Sequence, residues 1–160
     1  AGCFLPSFFE VYRVDREAYL EALGGRECME RVHRIFYGKL LSHPWLKGFF
    51  EGKSRDFLES QQTDFFLSEL CGVTGYFGRI PASAHTHLFI TDEVFELRHV
   101  ILKEALHTAK VPVELHERWL QFDMSFKSGM VKASIDECKG RYKTEPVISV
   151  PKPAHKSAVA

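Results

Sequence analysis

The sequence has no excess of either charge, no paired cysteine motif and no long apolar run. Lysine and arginine together number 21, as do aspartate and glutamate, so no net field attracts nucleic acid or an anionic membrane. The four cysteines form no C-x-x-C pair, which argues against a zinc knuckle or disulfide scaffold and favours reduced thiols in the cytoplasm. No apolar segment reaches the about 18 residues of a membrane span. We therefore expect a cytoplasmic protein with no nucleic-acid partner and no membrane span.

The alternating pattern of β-strands is also missing, apart from a short segment at 146–150 that prolines flank. Helical periodicity is present instead, because apolar residues recur at spacings of three and four along about residues 26–41, 55–70, 92–108 and 113–132. The chain has 160 residues, of which 45% are hydrophobic, and this is enough for a packed core. The sequence predicts an all-α fold.

Composition divides the chain into three parts. Residues 1–14 are rich in aromatic side chains and are expected to form an N-terminal extension, because Asp15 can cap a first helix that begins at Arg16. Residues 15–135 are expected to form the helical domain. Residues 136–160 contain several prolines and lysines and few apolar side chains, so we expect a mobile C-terminal tail.

One histidine lies in an unusual stretch between two long helices. Glycines at 72, 75 and 78 and a proline at 81 prevent a helix from continuing through this region. A new short helix can begin near Ala82 and carry His85 and His87, and Thr91 can cap the helix that follows. A lone histidine in such surroundings is more often a packed core residue than a ligand, so other residues have to support a functional role for His85.

A glutamine interrupts the apolar stripe of the helix predicted at 55–70. Gln62 follows Leu58 by one turn and precedes Phe65 and Phe66. A buried amide without a partner costs about 1–3 kcal/mol. Gln62 is therefore expected to reach water, to pair with a polar side chain such as Tyr37, or to serve a group bound in a cavity.

Four segments, in order, resemble the truncated haemoglobins, which are short globins with two helices packed over two around a haem. The segments are Y-L-E-A-L-G-G at 19–25, I-F-Y-G-K-L-L-S-H-P-W-L-K-G-F-F at 35–50, S-Q-Q-T-D-F-F at 60–66, and E-L-C-G-V-T-G-Y-F-G-R at 69–79 followed by A-H-T-H-L-F-I-T at 84–91. The match covers about residues 19–131. The resemblance implies a two-over-two helical sandwich around haem b, iron protoporphyrin IX.

The resemblance also implies roles for particular residues. His85 is expected to be the proximal ligand of the iron, with His87 as its neighbour. Tyr37 is expected to donate a hydrogen bond to bound O₂, and Gln62 matches the distal glutamine. Phe50 is expected to pack on the haem, Leu58 matches an apolar distal position, and Phe65 and Phe66 match a pair that lines the haem or its ligand tunnel. The resemblance does not assign the propionate contacts, for which Tyr76 and Arg79 are candidates.

Some features of the site stay open at the level of sequence. Cys71 and the Val73-Thr74 step depart from the family's usual loop, so the geometry of this loop is undetermined. His33 and His43 offer further nitrogens, and a bis-histidine iron state is therefore an alternative.

Three functions are compatible with this sequence. The first is reversible binding and transport of O₂ and other diatomic ligands such as CO and NO. The second is a nitric oxide dioxygenase, which would need a reductase partner and would use the same residues. The third is a haem-free helical interaction module, in which His85 is an ordinary histidine. A peroxidase is disfavoured because no distal histidine or arginine is expected near the iron.

Overall fold

The computed structural model describes residues 8–154, with side chains from residue 15 onward, and this part of the chain is helical. The helices are α1 (Phe8–Leu23), α2 (Arg26–Ser42), α3 (Arg55–Glu69), α4 (Pro81–Ala84), α5 (Asp92–Thr108), α6 (His116–Met124) and α7 (Lys127–Met130), with 3₁₀ turns at Leu46–Phe50, Val113–Leu115 and Ile135–Glu137. Between residues 8 and 154 the extended segments form only two isolated β-bridges, Leu88 with Ile148 and Ile90 with Val131. The all-α prediction is confirmed. None of the helices in this range is long and apolar enough to cross a membrane.

Local sequence signals explain where the long helices begin and end. The Ser54 hydroxyl accepts a hydrogen bond from Phe57 N at 3.3 Å and caps α3, and the Thr91 hydroxyl caps α5 by accepting one from Val94 N at 3.2 Å. Gly24 has a φ of 94°, a conformation that favours glycine, so α1 ends there.

Two helices differ from the sequence prediction. The first was expected to start after Asp15, but α1 begins at Phe8, because no glycine or proline interrupts residues 8–23. The helix expected over 113–132 is divided into α6 and α7. The Ser125 hydroxyl donates to Phe122 O at 2.6 Å, and such local bonding competes with helix propagation. The remaining residues of the predicted extension, 1–7, lie outside the described range.

The core lies where α2 packs against α3 and α5, with α6 packed on α5. Its largest fully buried side chains come from these four helices: Phe36, Phe66, Phe95 and Trp119. The residues that link α3 to α5 add Leu70, Cys71, Leu88 and Ile90 to this core. They include α4 and the segment that carries His85, and we call residues 81–91 the His85 segment.

The C-terminal residues make specific contacts instead of forming a mobile tail. We call residues 145–150 the C-terminal strap. Ile148 N donates to His87 O at 2.8 Å, and Phe89 N donates to Ile148 O at 2.9 Å. The Trp45 indole N–H donates to Val150 O at 3.0 Å. The tail was expected to be mobile from residue 136, but the strap satisfies backbone groups of the His85 segment and packs Ile148 and Val150 against the core.

The contact between the strap and the Leu46–Phe50 turn gives a test of this packing. A Cβ at Gly48 would lie 2.7 Å from Val150 Cγ1, so Gly48→Ala should destabilise the protein by about 1 kcal/mol, as overpacking does. In a Val150→Ala background the same change should cost nothing. Thermal denaturation of the four proteins checks this, and an equal effect of Gly48→Ala in both backgrounds would contradict the strap's position.

Candidate functional site

His85 directly follows the short helix α4 as its C-cap and is held by the first residue of that helix. Pro81 occupies the first position of α4, where its missing N–H costs nothing. His85 Nδ1 lies 2.7 Å from Pro81 O, and because a carbonyl only accepts, Nδ1 carries the proton. Burial lowers the pKa of His85 to about 4, so the ring is neutral at pH 7. Its Nε2 lone pair is therefore available to a ligand or metal.

A lysine fixes the backbone around His85. The Lys132 ammonium donates to His85 O and Leu88 O, both at 2.8 Å, and to Met130 O at 3.2 Å. These bonds join the end of α7 to the His85 segment. The backbone that carries the imidazole is thus held from both sides, by α4 and by Lys132.

The neighbouring histidine faces away from this site. His87 is 3% exposed, and its Nδ1 lies 3.5 Å from the Glu145 carboxylate on the C-terminal strap. It is not among the residues that line the cavity described next. The structure therefore separates the two histidines of the H-T-H sequence, and only His85 faces the cavity.

A cavity of about 760 Å³, including its mouth, lies between α2, α3, α5, α6 and the His85 segment. Most of its wall is apolar. The apolar lining includes Leu40, Leu46, Phe49, Phe50, Phe65, Phe66, Val94 and Phe126. Such walls exclude water and lower the local dielectric constant, which strengthens every polar interaction within the cavity.

Two polar side chains in the cavity wall lack protein partners. Tyr37 on α2 and Gln62 on α3 both line the cavity, and the bond expected between them is absent. No described residue forms a hydrogen bond with either side chain. Burial raises the pKa of Tyr37 to about 12, so the phenol keeps its proton and remains a donor. A phenol and an amide are thus presented to a ligand within an apolar wall.

The other residues expected at the site fall into two groups. Phe50, Phe65 and Phe66 line the cavity, whereas Leu58, Tyr76 and Arg79 do not. The Tyr76 hydroxyl donates to Arg79 O at 2.6 Å, and its ring contacts Phe65 with the ring centroids 5.2 Å apart. Arg79 itself is exposed. Leu58 is half-buried and packs against the core.

Two charged residues that the sequence analysis missed also line the cavity. Arg98 on α5 and Asp123 on α6 face it, joined by contacts of 2.8 and 2.9 Å from Arg98 Nη1 to the two carboxylate oxygens. Burial opposes ionisation of Asp123, but the Arg98 charge and the hydrogen bond from His99 outweigh it and lower the pKa. Helical spacing could have indicated that both side chains face inward, because Arg98 follows the buried Val94 by four residues and Asp123 follows the buried Trp119 by four.

The alternative histidines lie outside the cavity wall. His33 is fully buried, and its Nδ1 lies 2.8 Å from the Thr63 hydroxyl. His43 Nδ1 accepts hydrogen bonds from Trp45 N and Leu46 N at 3.1 and 3.2 Å. Neither ring lines the cavity, so His85 is the histidine that the cavity presents.

These residues fit a haem better than a bare metal ion. Within residues 15–154, no three His, Cys, Asp or Glu side chains converge as a metal-binding group. Iron that is already held by porphyrin nitrogens needs only one protein ligand, and a single neutral imidazole with an available Nε2 meets that requirement. A largely apolar cavity among packed helices, with one such imidazole, is the arrangement expected of a haem protein of the globin class.

Comparison with known proteins identifies the family. The profile described as Bacterial-like globin matches residues 18–131, and the chain belongs to this family. It is 35% identical over 94 residues to the Group 1 truncated hemoglobin GlbN of Mycolicibacterium paratuberculosis, covering 59% of this chain and 69% of the relative. It is 33% identical over 88 residues to a Group 1 truncated hemoglobin of Tetrahymena pyriformis, covering 52% and 73%.

A solved structure supports the same assignment. The crystal structure of a mutant truncated hemoglobin from Tetrahymena pyriformis, in the Fe(III) form, matches with a TM-score of 0.64 and 26% identity, covering 71% of this chain and 97% of that one. The predicted resemblance to truncated haemoglobins is confirmed. Haem-based ligand binding is the general activity that this family supports.

The buried histidine His33 predicts how stability depends on pH. Burial, helped by the Arg98 charge, lowers the pKa of His33 to about 3, whereas an unfolded chain binds this proton below about pH 6.5. Between these two pKa values the unfolded state binds more protons than the folded state, so the free energy of unfolding decreases as the pH falls. Between pH 7 and about pH 4.5, the free energy of unfolding of His33→Gln should decrease by about 2–3 kcal/mol less than that of the wild type. Urea unfolding at the two pH values measures this, and equal losses would contradict it.

Proposed function

We propose that this protein binds haem b through His85 Nε2 and reversibly binds O₂, with CO and NO as further ligands. The observation that carries the proposal is the hydrogen bond of 2.7 Å between His85 Nδ1 and Pro81 O. It leaves Nε2 as the only lone pair of the ring and directs the ring from a fixed backbone. A hydrogen bond donated by the ring nitrogen that does not bind the metal also makes a ligating imidazole more basic.

When bound, haem supplies an iron that coordinates diatomic ligands. The chain's own contribution is to hold and select them. Tyr37 and Gln62 lack protein partners, and their N–H and O–H groups are suited to a ligand that accumulates negative charge, as O₂ does. The apolar wall formed by residues such as Phe50 and Phe65 keeps water from competing for these donors.

We further propose that the protein is cytoplasmic and has a reductase as its partner. A cytoplasmic location agrees with the free thiols of Cys28, Cys71 and Cys138. A separate reductase is the partner that would return oxidised iron to the ferrous form that binds O₂. The nitric oxide dioxygenase activity predicted as an alternative would use the same residues and stays a prediction.

Replacing the imidazole tests the proposed iron ligand. His85→Gly should lose the absorption spectrum of histidine-ligated haem, and added imidazole should restore it by filling the space left by the side chain. His87→Gly is the matched control, because His87 contacts Glu145 instead of the cavity, and its spectrum should equal that of the wild type. Ferric, reduced and CO-exposed spectra of the three proteins measure this. A wild-type protein that shows no Soret band after haem is added would contradict haem binding and favour the helical interaction module.

Removing the phenolic hydroxyl tests ligand stabilisation. Tyr37→Phe should speed the dissociation of O₂ about tenfold, since a hydrogen bond of this kind contributes about 1.5 kcal/mol. The dissociation of CO, a weaker acceptor, should change much less. Tyr19→Phe is the matched control, because that hydroxyl donates to Leu115 O at 2.8 Å and Tyr19 does not line the cavity. Stopped-flow measurement decides, and equal O₂ dissociation rates in both variants would refute the role of Tyr37.

A further inference from the structure

The cavity contains a pair of full charges that the proposed binding of diatomic ligands does not require. Arg98 and Asp123 line it together with Tyr37, Gln62 and His85. Asp123 is 3% exposed, and the Arg98 side chain is 19% exposed. Taking an ion pair out of water is unfavourable unless its hydrogen bonds are satisfied. The pair therefore needs an explanation beyond packing.

The way the two side chains meet leaves part of the guanidinium unused. A single nitrogen, Arg98 Nη1, contacts both Asp123 oxygens, at 2.8 and 2.9 Å. Asp123 Oδ2 also accepts from His99 Nδ1 at 2.9 Å, so the carboxylate is fixed from two sides. The N–H groups of Arg98 Nε and Nη2 form no hydrogen bond with any described residue. These donors are held in place and lack an acceptor.

Aromatic rings fix the position of this guanidinium. Arg98 Cζ lies 5.2 Å from the centroid of the Phe36 ring and 5.7 Å from that of Phe95. Arg98 lines the same cavity as His85, so its guanidinium lies within the proposed ligand site.

We propose that Arg98, held by Asp123, recognises a planar oxyanion of the nitrite and nitrate class in this cavity. The proposal rests on the proposed function, since the anion would occupy the same ligand site. A guanidinium presents its N–H groups in one plane and bonds two oxygens of such an anion. Tyr37 and Gln62 supply further donors from the same cavity wall.

Asp123 has two opposing effects on anion binding. Its negative charge positions Arg98 but also offsets the positive charge that an anion would meet. Removing the charge of Arg98 should therefore weaken anion binding, whereas removing the charge of Asp123 should strengthen it. If the ion pair were purely structural, the two substitutions would not change the anion affinity in opposite directions, because both would act through stability alone.

The main experiment titrates the ferric haem-loaded protein with nitrite and follows the Soret band. Arg98→Met should raise the dissociation constant of nitrite at least about tenfold, the loss expected for hydrogen bonds to a charged group. Asp123→Asn should lower it several-fold, and the affinity for imidazole, a neutral ligand, should hold in both variants. Arg118→Met is the matched control, because that side chain stacks on Tyr19, with Cζ 4.5 Å from its ring centroid, and does not line the cavity.

A second measurement does not depend on haem. Nitrate added to the haem-free protein should shift the ¹⁵N NMR signal of Arg98 Nε and leave that of Arg118 Nε unchanged. If haem does not bind, the proposed function fails, and this titration still decides whether Arg98 binds an oxyanion. Equal nitrite affinities in Arg98→Met and Arg118→Met, or changes of the same direction in Arg98→Met and Asp123→Asn, would overturn the proposal.

Reconstitution with haem dimethyl ester tests whether Arg98 binds the oxygens of a nitrite or nitrate ion or those of a haem propionate. This haem lacks the propionate carboxylates that would otherwise compete for the Arg98 donors. The proposal predicts that Arg98→Met weakens nitrite binding to the same extent with either haem. If the effect of Arg98→Met appears only with natural haem, the partner of Arg98 is a propionate and the oxyanion proposal is wrong.

Discussion

The hydrogen bond from His85 Nδ1 to Pro81 O is the interaction on which the rest of the site depends. It selects one tautomer of the ring and leaves Nε2 as the atom that can bind iron. Because Pro81 begins α4 and His85 directly follows it, the bond spans the whole of this short helix. Lys132 then fixes the carbonyl of His85 itself, and the C-terminal strap pairs with the residues that follow. The end of the chain thereby supports the proposed ligand residue.

The cavity wall combines apolar packing with polar groups that find no partner in the protein. Tyr37, Gln62 and part of the Arg98 guanidinium lie in a largely apolar wall whose other polar members are His85 and Asp123, and donors without acceptors in such a wall reduce folding stability. Polar groups without hydrogen-bond partners are expected at sites where a protein binds a ligand. A bound haem and its ligand would supply the missing acceptors and occupy the apolar volume.

Local signals in the sequence predict most of the fold. Thr91 caps the helix at which it was expected, and the apolar stripes of α2, α3 and α5 face the core. The sequence pattern singled out His85 and Gln62, with Tyr37 as a possible partner, and the family resemblance supplied their expected roles; the three residues converge on one cavity. The strap was missed because the tail around it is rich in prolines and lysines, while its contacts to the His85 segment are backbone hydrogen bonds that form only once that segment is folded. Arg98 and Asp123 were missed because a charged side chain is normally solvated, and only the tertiary fold brings this pair together.

A crystal structure of the protein loaded with haem, in the ferrous state with O₂, tests the central claim most directly. The account predicts continuous density between the iron and His85 Nε2, with the His85 Nδ1 bond to Pro81 O retained and the Tyr37 hydroxyl within hydrogen-bond distance of the ligand. Iron coordinated by His87, His33 or His43 would contradict it, as would a haem bound outside the cavity.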